Sequence, residues 1–269
     1  MVNIIIIGIQ EYFKEFGRAI ENAVHQMGYM DTQIHYYLKK SIEKGSQKVI
    51  FSKECNIVCA PQQIDEEFIL PKNNSIKILI HTEQTIKHIS YEKWDRVLTL
   101  FKDMADETPM IYFPCGYSSC FINMKENKST VHHKLYSFGA YTNYRRGVCK
   151  KFDIYHDLSI SGDRRGTTIR KAEININLKA FKERYYFAPL HALLVICQGK
   201  LLFQQKSDGD YSIYAPYIIE FDESSFIAKK DYYLMHENER DELGKSYYNA
   251  LRENVDFNYN FSECVKTIL

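Results

Sequence analysis

Three stretches near the start of the chain, residues 3–7 (NIIII), 55–60 (CNIVCA) and 75–84 (SIKILIHTEQ), carry short apolar runs that do not alternate with polar residues. A strand with one face in water alternates; a run of four or five apolar residues has both faces covered, as in a parallel sheet. Parallel strands need crossover connections, so the sequence between such runs must supply helices. It does so at once. From Glu11 to Met27 apolar residues recur at helical spacing (Tyr12, Phe13, Phe16, Ala19, Ile20, Ala23, Val24, Met27), and Gly28 stops the run. A second strand follows in TQIHYYL, and this strand–helix–strand order opens a doubly wound α/β domain. KVIFS (48–52), WDRVLTL (94–100) and MIYFPCGY (110–117) read as further strands of the same sheet.

The polar segment NMKENKSTVHH (123–133) interrupts the pattern and reads as a linker. Beyond it the alternation restarts: strand KLYSF, a helix from about Tyr144, strand FDIYH, a short helix TTIRKA, strand EININLK, the apolar helix YYFAPLHALLVICQ stopped by Gly199, and strands KLLFQQK and YIIEF. From about Glu223 the chain reads as helical and charged. The expected architecture is therefore two Rossmann-like doubly wound α/β domains facing a cleft, residues 1–127 and 128–269, with a helical C-terminus. Ligands of such sheets bind beyond the carboxyl ends of the strands.

Charge limits the partners. Thirty-five Lys and Arg against 34 Asp and Glu leave no field to hold a polyanion, so nucleic acid is a possible but disfavoured partner. The apolar opening is too short for a membrane span or a signal sequence, which points to a cytoplasmic protein without a transmembrane segment. Seven cysteines in no C-x-x-C pair read as buried reduced thiols, and neither a metal nor a bound cofactor is expected.

Three stretches could carry chemistry. In FGAYTNYRRGV, Thr142 or Asn143 can cap a helix whose first turn holds Arg145 and Arg146. Cations there oppose the helix dipole unless an anion sits above them, and a phosphate would satisfy both the free N–H groups and the guanidinium forks. A solvated arginine pair on the surface is the alternative. In HTEQ, His81 and Glu83 stand at a strand's carboxyl end, where they could act as a base or orient a hydroxyl; Glu83 could equally cap the next helix. In the third, Asn175 and Asn177 alternate with isoleucines, His191 lies in an apolar helix as an expected core histidine, and Gln204, Gln205 and Lys206 end a strand.

The order of these pieces, with GKLLFQQKSDG and YAPYIIEFDESSF after the apolar helix, resembles glycosyltransferases of the GT-B type over about residues 3–235. The likeness is to small bacterial and viral enzymes related to spore-maturation (CgeB-like) proteins. The resemblance implies a donor site in the second domain, with Gly139, Arg145 and Arg146 near the diphosphate of a nucleoside diphosphate sugar. Tyr214 to Tyr217 would lie near its sugar or base, and Gln204, Gln205 and Lys206 at their strand's end could meet a sugar or phosphate. It implies an acceptor in the first domain, a glycan or other hydroxyl (protein, lipid or modified base), with Glu83 or His81 as base or acceptor orienter. The nucleotide sugar would be a co-substrate and no metal would be needed. Relatives often carry an Arg early in the apolar helix and a Glu after the next strand; here Leu190 or His191 and Gln205 stand there, which leaves open a binder or scaffold of the same fold that does not turn over.

Overall fold

The computed structural model describes residues 1–8, 10–59, 70–71, 73–82, 90–123, 132–157, 162–183 and 187–269. Strand β1 (Val2–Ile7) is buried along its whole length. Ile5 and Ile7 enter a cluster with Val58, Leu79, Trp94, Val97 and Met110. On the opposite face Ile6 meets Gly17 of helix α1 (Gln10–Gln26), close enough that a Cβ on Gly17 would lie 2.7 Å from the Ile6 Cδ1. An uninterrupted apolar run is thus what a strand covered on both faces requires.

β1 pairs in parallel with β2 (Thr32–Tyr37) on one side and β3 (Cys55–Cys59) on the other. A short helix α2 (Lys39–Glu43) follows β2. β4 (Ile76–His81), β5 (Arg96–Thr99) and β6 (Ile111–Tyr112) extend the sheet, with α3 (Lys102–Glu107) between the last two, in the order β2-β1-β3-β4-β5-β6. The second sheet contains β7 (Leu135–Phe138), β8 (Tyr155–Asp157), β9 (Ile174–Asn177), β10 (Leu202–Gln205) and β11 (Ile219–Phe221), also all parallel, in the order β11-β10-β9-β7-β8. Its helices are α4 (Asn143–Phe152), α5 (Gly162–Lys171) and α6 (Pro189–Ile196), followed by α7 (Phe226–Met235) and α8 (Glu237–Asn254). Val148, Cys149 and Phe152 of α4 pack on Ile174, Ile176, Phe203 and Phe226. Two parallel α/β sheets with a helical C-terminus agree with the expected fold class.

One expectation needs correction. Residues 48–52 (KVIFS) are not a strand. Side chains satisfy that backbone instead: Asn3 donates to the Ile50 carbonyl at 3.2 Å and the Ile50 N–H donates to the Tyr37 hydroxyl at 3.0 Å. The expected boundary at 127/128 lies outside the described residues, and the chain divides into compact units elsewhere: Met1–Cys115 with Phe257–Leu269, and Gly116–Asp256. Of the expected linker, residues 124–131 lie outside the described residues, and Asn123 accepts at its carbonyl from Arg170 of α5. The helical C-terminus, finally, is divided. The last helix, α9 (Phe257–Val265), belongs to the first unit, where Phe257 sets its ring edge-on to Phe16 and Phe113 at 5.9 and 5.2 Å. The apolar face left by α1 and the segment after β6 is the reason for the chain's return.

The second unit begins and ends side by side. Tyr117 donates its N–H to the Val255 carbonyl at 2.7 Å, and Tyr117 and Asp256 form an isolated parallel bridge. Gly116 allows this approach, since a Cβ there would lie 2.1 Å from the Val255 oxygen. Backbone on both sides cannot give way as a side chain can. Gly116→Ala is therefore expected to cost about 1–3 kcal/mol, read as a lower urea midpoint with an unchanged slope.

Candidate functional site

The order β11-β10-β9-β7-β8 means that the chain leaves β7 in one direction, to β8, and returns across it to β9. The loops after β7 and β9 therefore part at the carboxyl edge, and the crevice beside such a switch point is where doubly wound sheets take ligands. The described residues around it are more polar and more cationic than the apolar strands beneath.

The loop after β7 starts at Gly139, whose φ of 112° lies in the region open to glycine. Its carbonyl faces His156 of β8, whose Nε2 donates to it at 2.9 Å. Thr142 then caps α4: its hydroxyl accepts from the Arg145 N–H at 3.2 Å and donates to the Ala180 carbonyl, beyond β9. Arg145 reinforces the same tie. Its Nε and Nη2 donate to the Leu178 carbonyl at 3.1 and 2.8 Å, and its Nη1 donates to the Ala140 carbonyl at 3.0 Å. Two loops that the topology separates are thus held together by one guanidinium and one hydroxyl.

The adjacent arginines have opposite situations. Arg145 is 2% exposed, whereas Arg146 lies outside, its guanidinium 5.0 Å above the Tyr141 ring, which in turn stacks on His156 at 5.0 Å. The Arg-Arg-Gly sequence of α4 returns in α5, as Arg164-Arg165-Gly166 after Arg145-Arg146-Gly147, with the burial reversed. Arg164 is exposed and reaches the Asp157 carboxylate at 3.6 Å, while Arg165 is buried with its guanidinium 5.9 Å from the centre of the Phe138 ring. His191, in the first turn of α6, packs against Phe138 from 4.9 Å. Burial, then the charges of Arg145 and Arg165 and the nearby His156, push the His191 imidazole down to about 3. Burial also lowers His156, partly offset by its bond to Gly139.

Among the sequence candidates, Gly139, Arg145 and Arg146 thus lie on one loop and its helix, as expected, but the Arg145 fork engages carbonyls. Gln205 is buried: its Oε1 accepts from the Lys179 N–H at 3.0 Å and its Nε2 donates to the Tyr144 hydroxyl of α4 at 2.7 Å. Asn177 donates to Gln204, which donates to Ser207 at 2.9 Å, so the amides expected to meet a ligand serve one another. Lys206 is exposed, and its N–H donates to the Phe221 carbonyl. Tyr214 is 1% exposed and stacks on Phe187 at 5.0 Å. His81 closes β4 in the first unit and is buried; Glu83 lies outside the described residues. His191, expected to be a core residue, packs against Phe138, and Arg145 and Arg165 are among the charges that act on it. Arg165 escaped the sequence reading altogether, although the repeated Arg-Arg-Gly was a signal for it.

Among the described residues no group of three or more His, Cys, Asp or Glu is placed to hold a metal ion, and no helix is long and apolar enough to cross a membrane. Cys55, Cys59, Cys115, Cys149 and Cys197 are buried and unbridged, and burial pushes the Cys55 and Cys197 thiols up to about 12.

No protein-family model matches the chain, and no curated protein matches it. Among solved structures, one from Listeria monocytogenes, provisionally identified as a UDP-N-acetylglucosamine 2-epimerase, is similar at 9% identity and a TM-score of 0.43, over 97% of this chain and 93% of that one.

Replacing Arg145 by Met removes the donors from two carbonyls and is expected to cost about 2–4 kcal/mol in denaturant unfolding; Arg146→Ala should stay within about 0.5 kcal/mol. His191 gives a pH signature. Its folded value of about 3 lies below the ordinary 6.5, so between these the unfolded chain binds more protons and stability is lost as pH falls from 6.5. His191→Gln should flatten that loss, by at most about 1.4 kcal/mol per pH unit, in urea titrations at pH 7.5 and 5.

Proposed function

We propose that the second unit binds a nucleoside diphosphate sugar at the carboxyl edge of its sheet and that the protein transfers the sugar to an acceptor hydroxyl. What supports this reading is the carboxyl edge beside β7 and β9, whose loops are tied together by Arg145 and Thr142 and whose rim carries exposed Arg146 over the Tyr141 ring. A diphosphate is a dianion, and such a rim offers it charge and hydrogen-bond donors without a metal. The ordered resemblance of the chain to GT-B type glycosyltransferases supports the same donor. Transfer needs the leaving diphosphate stabilised as the glycosidic bond to phosphate breaks, and exposed Arg146 is the arginine suited to move onto it. Arg145 acts behind, as a positioning residue. Glu83 or His81 is the proposed base or acceptor orienter.

A second reading, a nucleotide-sugar binder without turnover, is favoured by one observation: Gln205 stands where relatives often carry a Glu, and its amide is committed to Lys179 and Tyr144. A carboxylate contact to ribose from that position is then missing.

A thermal-shift screen against UDP, GDP, CDP, TDP and their common sugars tests the binding. A ligand at a hundred times its dissociation constant adds about 2.7 kcal/mol, which moves the midpoint of a chain this long by several degrees. We expect one nucleotide series to shift and the Arg146→Ala variant to need a higher concentration of it. A flat panel removes the reading. Slow hydrolysis of the bound nucleotide sugar without acceptor selects the transferase; binding with no turnover in the presence of mixed acceptors selects the binder.

A further inference from the structure

Four strands stand at sheet edges: β2 and β6 in the first unit, β8 and β11 in the second. β6 is two residues long and β8 and β11 are three each, and so short an edge is a poor template for a further strand. β2 is different. It runs six residues, TQIHYY, in register with β1 throughout, and contains no Lys, Arg, Asp, Glu or Pro, the residues that usually guard an open edge. Which of its groups look outward follows from the ladder. The Val2 N–H donates to the Asp31 carbonyl and the Gly8 N–H to the Tyr37 carbonyl, so the odd-numbered residues bond to β1. Thr32, Ile34 and Tyr36 therefore turn both N–H and C=O away from the sheet, and among the described residues these backbone groups have no hydrogen-bond partner. Two further features mark this edge. Met30 and Leu38, which flank the strand, are exposed, and the His35 Nε2 is buried with no hydrogen-bond partner among the described residues.

We propose that β2 pairs with β2 of a second copy of this chain, antiparallel and centred on Ile34, so that two first-unit sheets join across a twofold axis. Outward groups at positions 32, 34 and 36 are their own complement. Turned end for end, Ile34 meets the partner's Ile34 and Thr32 meets the partner's Tyr36, and each such pair exchanges both bonds. A slip of one residue sets outward groups against inward ones. A slip of two brings Thr32 either past the strand's end or onto Leu38, whose N–H is already given to Gln47 at 3.3 Å. The centred register alone also places Met30 opposite the partner's Leu38, an apolar match at both ends, and Gln33 opposite the partner's His35. A directly opposed pair of that kind has Cα atoms about 4.5 Å apart, close enough for the Gln33 amide to serve the unpartnered imidazole nitrogen. An unrelated strand satisfies the backbone but not these side chains together. The contact is isologous, so each copy's open edge is used up and assembly stops at two. One short ladder is a small interface, and the association is accordingly concentration-dependent. None of this depends on the donor proposed above.

Sedimentation velocity of the full chain over a wide concentration range is the test. The mass should rise from the 31.7 kDa of one chain toward twice that value and no further. Gln33→Lys, at an exposed position, puts a cation beside the partner's His35 on both sides of the axis and should weaken association by about tenfold or more, with the thermal midpoint of the dilute protein unchanged. Ile34→Pro removes an outward N–H without taking a bond from β1 and should abolish the dimer; if that variant does not fold, as circular dichroism will show, Gln33→Lys decides. Mild oxidation fixes the register. Ile34→Cys should cross-link to itself, since Cα atoms about 5.5 Å apart suit a disulfide, whereas Gln33→Cys and the native chain should not. A chain that stays single at every concentration overturns the proposal, as does growth beyond two, a dimer that Gln33→Lys leaves unchanged, or cross-linking through Gln33→Cys in place of Ile34→Cys.

Discussion

Parallel strands cannot be joined by a tight turn, and nearly every other feature of this chain follows from that constraint. Each strand must be left at its carboxyl end and re-entered from the opposite edge, so crossover segments cover both faces and the strands become apolar throughout. The loops that start these crossovers then gather at one edge, and there the backbone has carbonyl and amide groups that no ladder uses. Gly139, with its left-handed conformation, and the carbonyls of Ala140, Leu178 and Ala180 are all found at that edge.

What meets those groups decides the character of the edge. Three carbonyls from two loops are an acceptor-rich surface, and a buried guanidinium with its rigid fork is suited to join them. Arg145 joins two of them, Leu178 and Ala140, at the cost of bringing a cation inside, and the Thr142 hydroxyl takes the third. Arg165 adds a second, resting on the Phe138 ring. Protein interiors tolerate such charge when it is hydrogen-bonded, and burial first, then these charges, drives the neighbouring His156 and His191 toward their neutral forms. The stiffness of the crevice and its positive potential thus have a common origin.

The strands and helices of the second sheet were largely legible because burial on both faces leaves an unmistakable apolar run, and glycines 28 and 199 end helices with positive φ as their positions suggest. The failure at residues 48–52 is equally instructive. Val49, Ile50 and Phe51 resemble a strand in composition, but Asn3 and Tyr37 supply its hydrogen bonds, and side-chain partners 47 and 13 residues away leave no local trace. The arginine pair shows the same limit at finer scale. Adjacent positions in a first turn point about 100° apart, so one ring of the helix wheel is buried and the next is not, and only the fold says which. The sequence offered a donor pair; the structure divides it into a clamp and a free cation-π partner of Tyr141.

Because α9 returns to the first unit, the order of synthesis and the order of completion differ. Phe16 and Phe113 emerge early, but the rings that cover them, Phe257 and Phe261, are made only after the whole of the second unit. A ribosome adding about 5–20 residues per second spends roughly seven to thirty seconds on that interval. During it the nascent first sheet carries an aromatic face with no lid, and at its end the second unit has every residue it needs. The portion translated first is thus the one whose burial finishes last, and its uncovered phenylalanines are where a chaperone would find its hold.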